Sequence, residues 1–251
     1  MSKPCIAFCF LIYEKINLEE IWVRFFEQVD PALYRIYIHY KVNKPLKYPL
    51  FERRKLPAKQ CVPTKYADVS LIHAHNVMFK QAYNDGCSKM INLSQACIPF
   101  KSFSYIYHFL TQDDYGHFNV APVKNGYKSY EWFILNRTLC QELANNADVT
   151  KINATYQSIY APEERYYITA IHEKKLLQQI RSTSNLALGA TTFTNWLPRG
   201  LKTYNFITPK EMDALVASNS LFGRKFTAEC FVALKKHQPY WNTIVNTLKN
   251  N

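Results

Sequence analysis

The chain has 251 residues, 48% of them hydrophobic and 15% aromatic, and its 31 Lys and Arg outweigh 19 Asp and Glu to give a formal charge of +12. That length and apolar content can bury a sizeable core, which excludes a disordered polymer, and its six glycines form neither a G-x-G-x-x-G nor a G-x-x-x-x-G-K phosphate loop. A positive surface attracts anions, but there is no run of five cations and no basic tail, so the charge sits on a folded body and a nucleic-acid partner is not expected.

Residues 5–13 are a continuous apolar run of aromatic and branched side chains. The run is too short to span a bilayer and lacks a small-residue cleavage site, so it reads as a buried strand and the chain as soluble and intracellular. Helical spacing follows over 18–29 with Asn17 as cap, then a strand over 34–40, and a proline-rich excursion at 45–63. Residues 69–83 have helical spacing again, 89–93 form a short strand, and 103–110 a short helix carrying Tyr105 and Tyr107. Further helices are predicted at 129–145, at 168–180, at 209–215 with Thr208 as cap and Pro209 in the first turn, and at 227–236.

Strands alternating with helices through the first hundred residues predict an α/β fold, a mostly parallel sheet with helices on both faces, in a single domain over 1–251. In such sheets ligands gather beyond the carboxyl ends of the strands, here Ile12-Tyr13, His39-Tyr40-Lys41 and residues 94–97. The seven cysteines are odd in number, irregularly spaced and without a C-x-x-C pair, which reads as reduced, mostly buried thiols. His73 and His75 have no third ligand at suitable spacing, so zinc is discounted, and His39 reads as a structural imidazole. Sequons at Asn92, Asn136 and Asn153 are coincidences in an intracellular chain.

Six segments, 64–76, 92–102, 130–137, 161–169, 195–206 and 221–226, stand in an order that resembles the signature of the core-2/I-branching glycosyltransferase family, in its divergent plant and large-virus form. Leu93-Ser94-Gln95-Ala96-Cys97-Ile98-Pro99 is similar to a Ser-x-Ser-Cys-Ile-Pro motif that replaces the Ser-Gly-x-Asp-x-Pro of the animal enzymes. Tyr130-Glu131-Trp132 stands where the family has Ser-Gln-Trp, and Leu221-Phe222-Gly223-Arg224-Lys225-Phe226 resembles its Phe-Ala-x-Lys-Phe, with Gly223 in place of Ala. The resemblance implies a GT-A-like, Rossmann-like fold and transfer of a sugar, N-acetylglucosamine or xylose among those considered, from a UDP-sugar to a hydroxyl of a glycan or glycoprotein. It further implies inversion at the anomeric carbon, no divalent metal and no other cofactor.

The chain has no Asp-x-Asp motif, by which most nucleotide-sugar transferases hold a metal, so fixed cations must face the diphosphate. Lys225 and the adjacent Arg224 are the candidates for that role; Lys225 falls on the Lys of the related motif, and the resemblance adds Lys202, with Arg199 as the nearby alternative. Inversion by single displacement needs one base, and the family's glutamate falls on Glu164 of Ala161-Pro162-Glu163-Glu164, with Glu163 where the family has Asp. Without the resemblance these acids are an ordinary solvated helix start. Tyr66, Ala67 and Ser70 match the nucleoside end of the donor site, and Ser94, Cys97, Glu163, Trp132 and Trp196 are assigned to the acceptor or sugar. A thiol at Cys97 cannot make the charged hydrogen bond of the Asp it replaces.

Two other classes remain beside the transferase: a degenerate fold that only binds nucleotides or glycans, permitted by Cys97 and Glu163, and a basic nucleic-acid-binding protein, favoured by charge alone. The missing membrane anchor points to the cytosol, as for a large virus that builds its own glycans.

Overall fold

The computed structural model describes residues 3–124, 126–183 and 191–230. Strand β1 (Ile6–Ile12) has no polar face because it lies inside a sheet, with helices packed on both sides. After it come α1 (Glu19–Phe26), β2 (Tyr34–Tyr40), α2 (Pro49–Glu52), α3 (Ser70–Asn84), β3 (Lys89–Ser94), β4 (Ile98–Pro99) and α4 (Phe103–Thr111). The chain continues with β5 (Gly116–Val123), β6 (Gly126–Ser129), β7 (Ile134–Asn136), α5 (Arg137–Cys140), α6 (Val149–Tyr156) and α7 (Glu163–Glu173). It ends its described part with β8 (Ile180–Thr183), β9 (Thr192–Thr194), β10 (Trp196–Leu197), β11 (Gly200–Leu201), α8 (Pro209–Ala217) and β12 (Phe222–Arg224).

The main sheet has seven strands in the order β2-β1-β3-β7-β5-β6, with β8 beside β5. The core β2-β1-β3 is parallel, Phe8 lying level with Ile36 on one side and Ile91 on the other. Strand β7 joins β3 and β5 antiparallel, and the β5–β6 hairpin completes that half. Alternation along β1 divides the core. Ile6, Phe8, Phe10 and Ile12 pack with Trp22, Phe25 and Phe26 of α1 and Phe103 of α4, while Ala7 and Cys9 pack with Ile72 and Phe79 of α3 and Tyr167 of α7. Phe8 meets Trp22, Phe25 and Phe26 edge-on at 6.2, 5.6 and 5.0 Å, and each such side chain contributes about 1.5–3 kcal/mol by leaving water.

A second small sheet, β4-β12-β9, holds the carboxyl-terminal part of the described chain. It packs on Tyr204, Ile207, Met212 and Leu215, the last two on α8, which starts with the predicted Thr208 cap and a full capping box to Glu211. Gly223 in β12 lies flat against a ring: a Cβ there would fall 1.9 Å from Phe100 Cζ. The Ala of the related motif does not fit here while Phe100 keeps its place.

Four expectations are corrected. Residues 129–145 are not one helix; 134–136 are strand β7, and only the stretch after it winds, as α5 and a π-helical turn. The predicted helix at 168–180 starts earlier, at Glu163, and ends at Glu173, Ile180 already being strand. Asn17 does not cap α1; its Nδ2 donates to the Phe226 carbonyl at 2.8 Å, while Leu18 occupies the cap position without a side-chain bond. The excursion at 45–63 contains α2 and a short 3-10 turn. Residues 231–236 of the last predicted helix lie outside the described residues.

Candidate active site

The carboxyl ends of β1, β2 and β3 open into a cleft of about 370 Å³. Tyr13 and Lys41 come from the ends of β1 and β2, and Ser94, Gln95 and Ala96 from the end of β3. Tyr66 stands at the rim, 89% exposed. Trp132 and Glu131 enter from the segment before β7, Glu163 from the first residue of α7, and Arg224 and Lys225 from the end of β12. The sequence expectation that ligands gather where the parallel strands end agrees with this placement.

Two latches hold the cationic lip over the strand ends. Besides the Asn17 bond to the Phe226 carbonyl, the Phe226 amide donates to the Ala96 carbonyl at 3.0 Å. The Arg224 guanidinium lies 3.9 Å over the Trp132 ring, and its Nε has no hydrogen-bond partner. Lys65 lies in the same cleft, so the cleft carries Lys41, Lys65, Arg224 and Lys225. Positive groups gathered in a concave site favour an anionic ligand.

Two carboxylates face these cations. Glu163 is 5% exposed and one of its carboxylate oxygens has no partner. Burial, and then the charge of Glu131, raises its pKa to about 8. Behind Glu131 lies His75, fully buried, its Nε2 3.4 Å from Glu131 Oε1. His39 is buried as the sequence reading expected, and its Nε2 accepts from the Val62 amide at 2.8 Å. Burial, with His75 nearby, lowers its pKa to about 4.

The predicted site residues divide. Tyr66, Ser94, Trp132, Glu163, Arg224 and Lys225 share the cleft. Glu164 does not line it; consecutive helical residues point about 100° apart, and Glu164 pairs with Lys128 at 2.6 Å in a neighbouring cavity beside Tyr160 and Arg165. Lys202 is held by Glu211 at 2.8 Å, and Arg199 is exposed in the turn between β10 and β11, so neither lines the cleft. Ala67 and Ser70 brace the loop before α3 instead: the Ala67 carbonyl accepts from the Ala161 amide, and Ser70 Oγ donates to Asp68. Cys97 lies buried beneath the floor, where burial raises its pKa and its carbonyl takes the Trp22 indole N–H at 3.0 Å. Trp196 is exposed and stacks on Tyr130 at 6.1 Å, lining a separate cavity with Lys128.

Lys41, Lys65, Glu131 and His75 carry no role in the sequence reading. Glu131 had a signal: an acid where the related motif has an amide, next to an apolar run. His75 had only the spacing of a helix face.

Among the described residues, no group of three or more His, Cys, Asp or Glu could hold a metal ion, and no helix is long and apolar enough to cross a membrane. Residues 6–125 match the family model described as Core-2/I-Branching enzyme, which bears out the resemblance over that stretch. Glycosyltransferase BC10 of Oryza sativa subsp. japonica is 22% identical over 166 residues, covering 57% of this chain and 41% of that protein. The chain thus spans about two fifths of that relative's length. Glu131, Glu163, Arg224 and Lys225 lie after the stretch that the family model matches.

Proposed function

We propose, taking residues 6–125 as those of a core-2/I-branching enzyme, that this chain is an inverting glycosyltransferase that uses a UDP-sugar without a divalent ion. The acceptor is a hydroxyl of a glycan or glycoprotein. The observation that supports this reading is one cleft in which a buried carboxylate, Glu163, faces Arg224 and Lys225 beyond the ends of the parallel strands.

In this reading the acceptor oxygen attacks the anomeric carbon as Glu163 takes its proton. The bond from that carbon to the β-phosphate oxygen breaks, and its electron pair leaves with the diphosphate. Charge therefore grows on the phosphate at the moment of transfer, and Lys225 and Arg224 stabilise that state more than the bound donor. Trp132 fixes the Arg224 guanidinium by stacking beneath it. Glu163 is preferred to its neighbour as base because Glu164 is neutralised by Lys128 in a different cavity.

The test is turnover of a panel of nucleotide sugars in the presence of EDTA. Glu163→Gln should lower kcat by about 10²–10⁴-fold, with Glu164→Gln within about tenfold of the parent. The reverse ranking assigns the base to Glu164. Strict dependence on manganese overturns the metal-free mechanism, and nucleotide binding with no turnover of any donor leaves a binding protein of the same fold.

A further inference from the structure

Glu163 is the first residue of α7, and Glu131 comes from the segment before β7, yet both line one cleft. Neither is a freely solvated carboxylate. Glu163 has an oxygen without a partner, and Glu131 backs onto a histidine that is wholly out of water. Neither His75 ring nitrogen makes a hydrogen bond, and the ring is wedged between Phe79 at 6.0 Å and Tyr167 at 6.4 Å. A buried imidazole with no other polar partner, aimed at a cleft carboxylate from behind, does not serve packing alone. A buried imidazole ordinarily has a polar group to serve, and the carboxylate 3.4 Å from its Nε2 is the one this ring is placed against.

We propose that Glu131, backed by His75, is a positioning residue that makes Glu163 give up its proton later than a lone carboxylate would, so that transfer switches on at higher pH. The proposal rests on the reading of Glu163 as base. Two carboxylates sharing a poorly solvated site resist ionising together, and the second proton leaves late. His75 Nε2 stands 3.4 Å from Glu131 Oε1 and in this proposal holds that carboxylate in place beside Glu163. Glu163, buried beside Glu131, is the member of the pair whose pKa is raised.

The other charged and titratable groups around the pair differ in direction, and the cleft cations Lys41, Lys65, Arg224 and Lys225 oppose the repulsion between the two acids. Glu164 on α7 adds to the repulsion on Glu163, and Lys128 on β6 opposes it. Tyr66 at the rim feels both Glu163 and Arg224, and Tyr167, deeper on α7, feels both Glu131 and Glu163. His39 faces His75 from β2. Of these groups, Glu131 has the largest influence on Glu163 after burial itself.

The experiment has two readouts. In the first, carboxyl carbons of the glutamates are followed by NMR across a pH series in the empty protein, Glu163 being assigned by its loss in Glu163→Gln. The Glu131→Gln substitution should lower the Glu163 midpoint by about one pH unit or more, tenfold in proton affinity. His75→Phe should lower it in the same direction by releasing Glu131 from its place beside Glu163, while His75→Gln, which keeps a polar group there, should restore it. In the second, the rising limb of kcat/KM against pH should move with the NMR midpoint in Glu131→Gln. A Glu163 midpoint that Glu131→Gln leaves in place overturns the proposal, whether or not the histidine variants fold. A midpoint that moves in a protein without transfer on any donor keeps the coupling and refutes the catalytic reading instead.

Discussion

Replacing Gly223 with alanine probes the link between the small sheet and the cleft. The added Cβ would stand 1.9 Å from Cζ and 2.4 Å from Cε2 of Phe100, a ring 1% exposed and pinned edge-on against Phe226. Reaching ordinary contact needs a displacement of about 1.5 Å, and neither β12, hydrogen-bonded on both sides, nor the ring has space to give. Overpacking of this kind costs about 1–3 kcal/mol, and a chain of this size loses roughly 2–4 °C in Tm for each of those. Thermal melting should therefore fall by about 2–12 °C, and because Arg224 and Lys225 follow directly on Gly223, calorimetry with UDP should show weaker binding. Phe100→Leu in the same chain should recover part of both losses, a coupling of about 0.5–3 kcal/mol in a double-mutant cycle. A Gly223→Ala protein that melts within a degree of the parent and binds UDP equally well refutes the packing described.

Trp132→Leu keeps an apolar wall but removes the face under Arg224; calorimetry should show UDP bound about 2–30-fold more weakly, and unchanged affinity would separate the stacking from donor binding. Lys225→Met should lower kcat/KM by about 10²-fold or more with a smaller effect on ground-state UDP binding, whereas equal losses in both would mean uniform binding. Stability should depend on pH through Glu163. Its folded pKa, about 8, lies above the unfolded value, so the folded chain keeps a proton the unfolded chain has lost. That contribution is complete below about pH 4.5 and is lost as the pH rises through about 8, an upper bound of about 5 kcal/mol at roughly 1.4 kcal/mol per unit. Urea midpoints should thus decline with pH in the parent and less steeply in Glu163→Gln; parallel curves would contradict the burial of that carboxyl.

Where one signal dominated, sequence pattern and structure agree. Tyr34–Tyr40 begins and ends as expected because branched and aromatic residues alternate there with no competing helical spacing. The helix read at 129–145 failed on an ambiguity of physics: Trp132, Phe133, Ile134 and Leu135 are apolar on every side, which suits a buried strand as well as a buried helix. Pairing to both β3 and β5 decided for the strand, and no local propensity records that. Lys225 was legible from the related motif, and Arg224 from its place beside that lysine in a chain without Asp-x-Asp. The choice between two neighbouring acids was not, since it depends on the rotation of α7 about its axis. Asn17 looked like a cap, yet its amide is used 209 positions along the chain.

That latch has a kinetic consequence. With the Phe226 carbonyl tied to Asn17 and its amide to Ala96, the segment that carries Arg224 and Lys225 is held by the protein's own contacts, and in the proposed reading the donor meets a cradle already built. A rigid cradle grips the spent nucleotide as firmly as the fresh one. Free UDP should therefore compete strongly with the donor, and its departure, instead of the making of the new glycosidic bond, should set the pace in steady state.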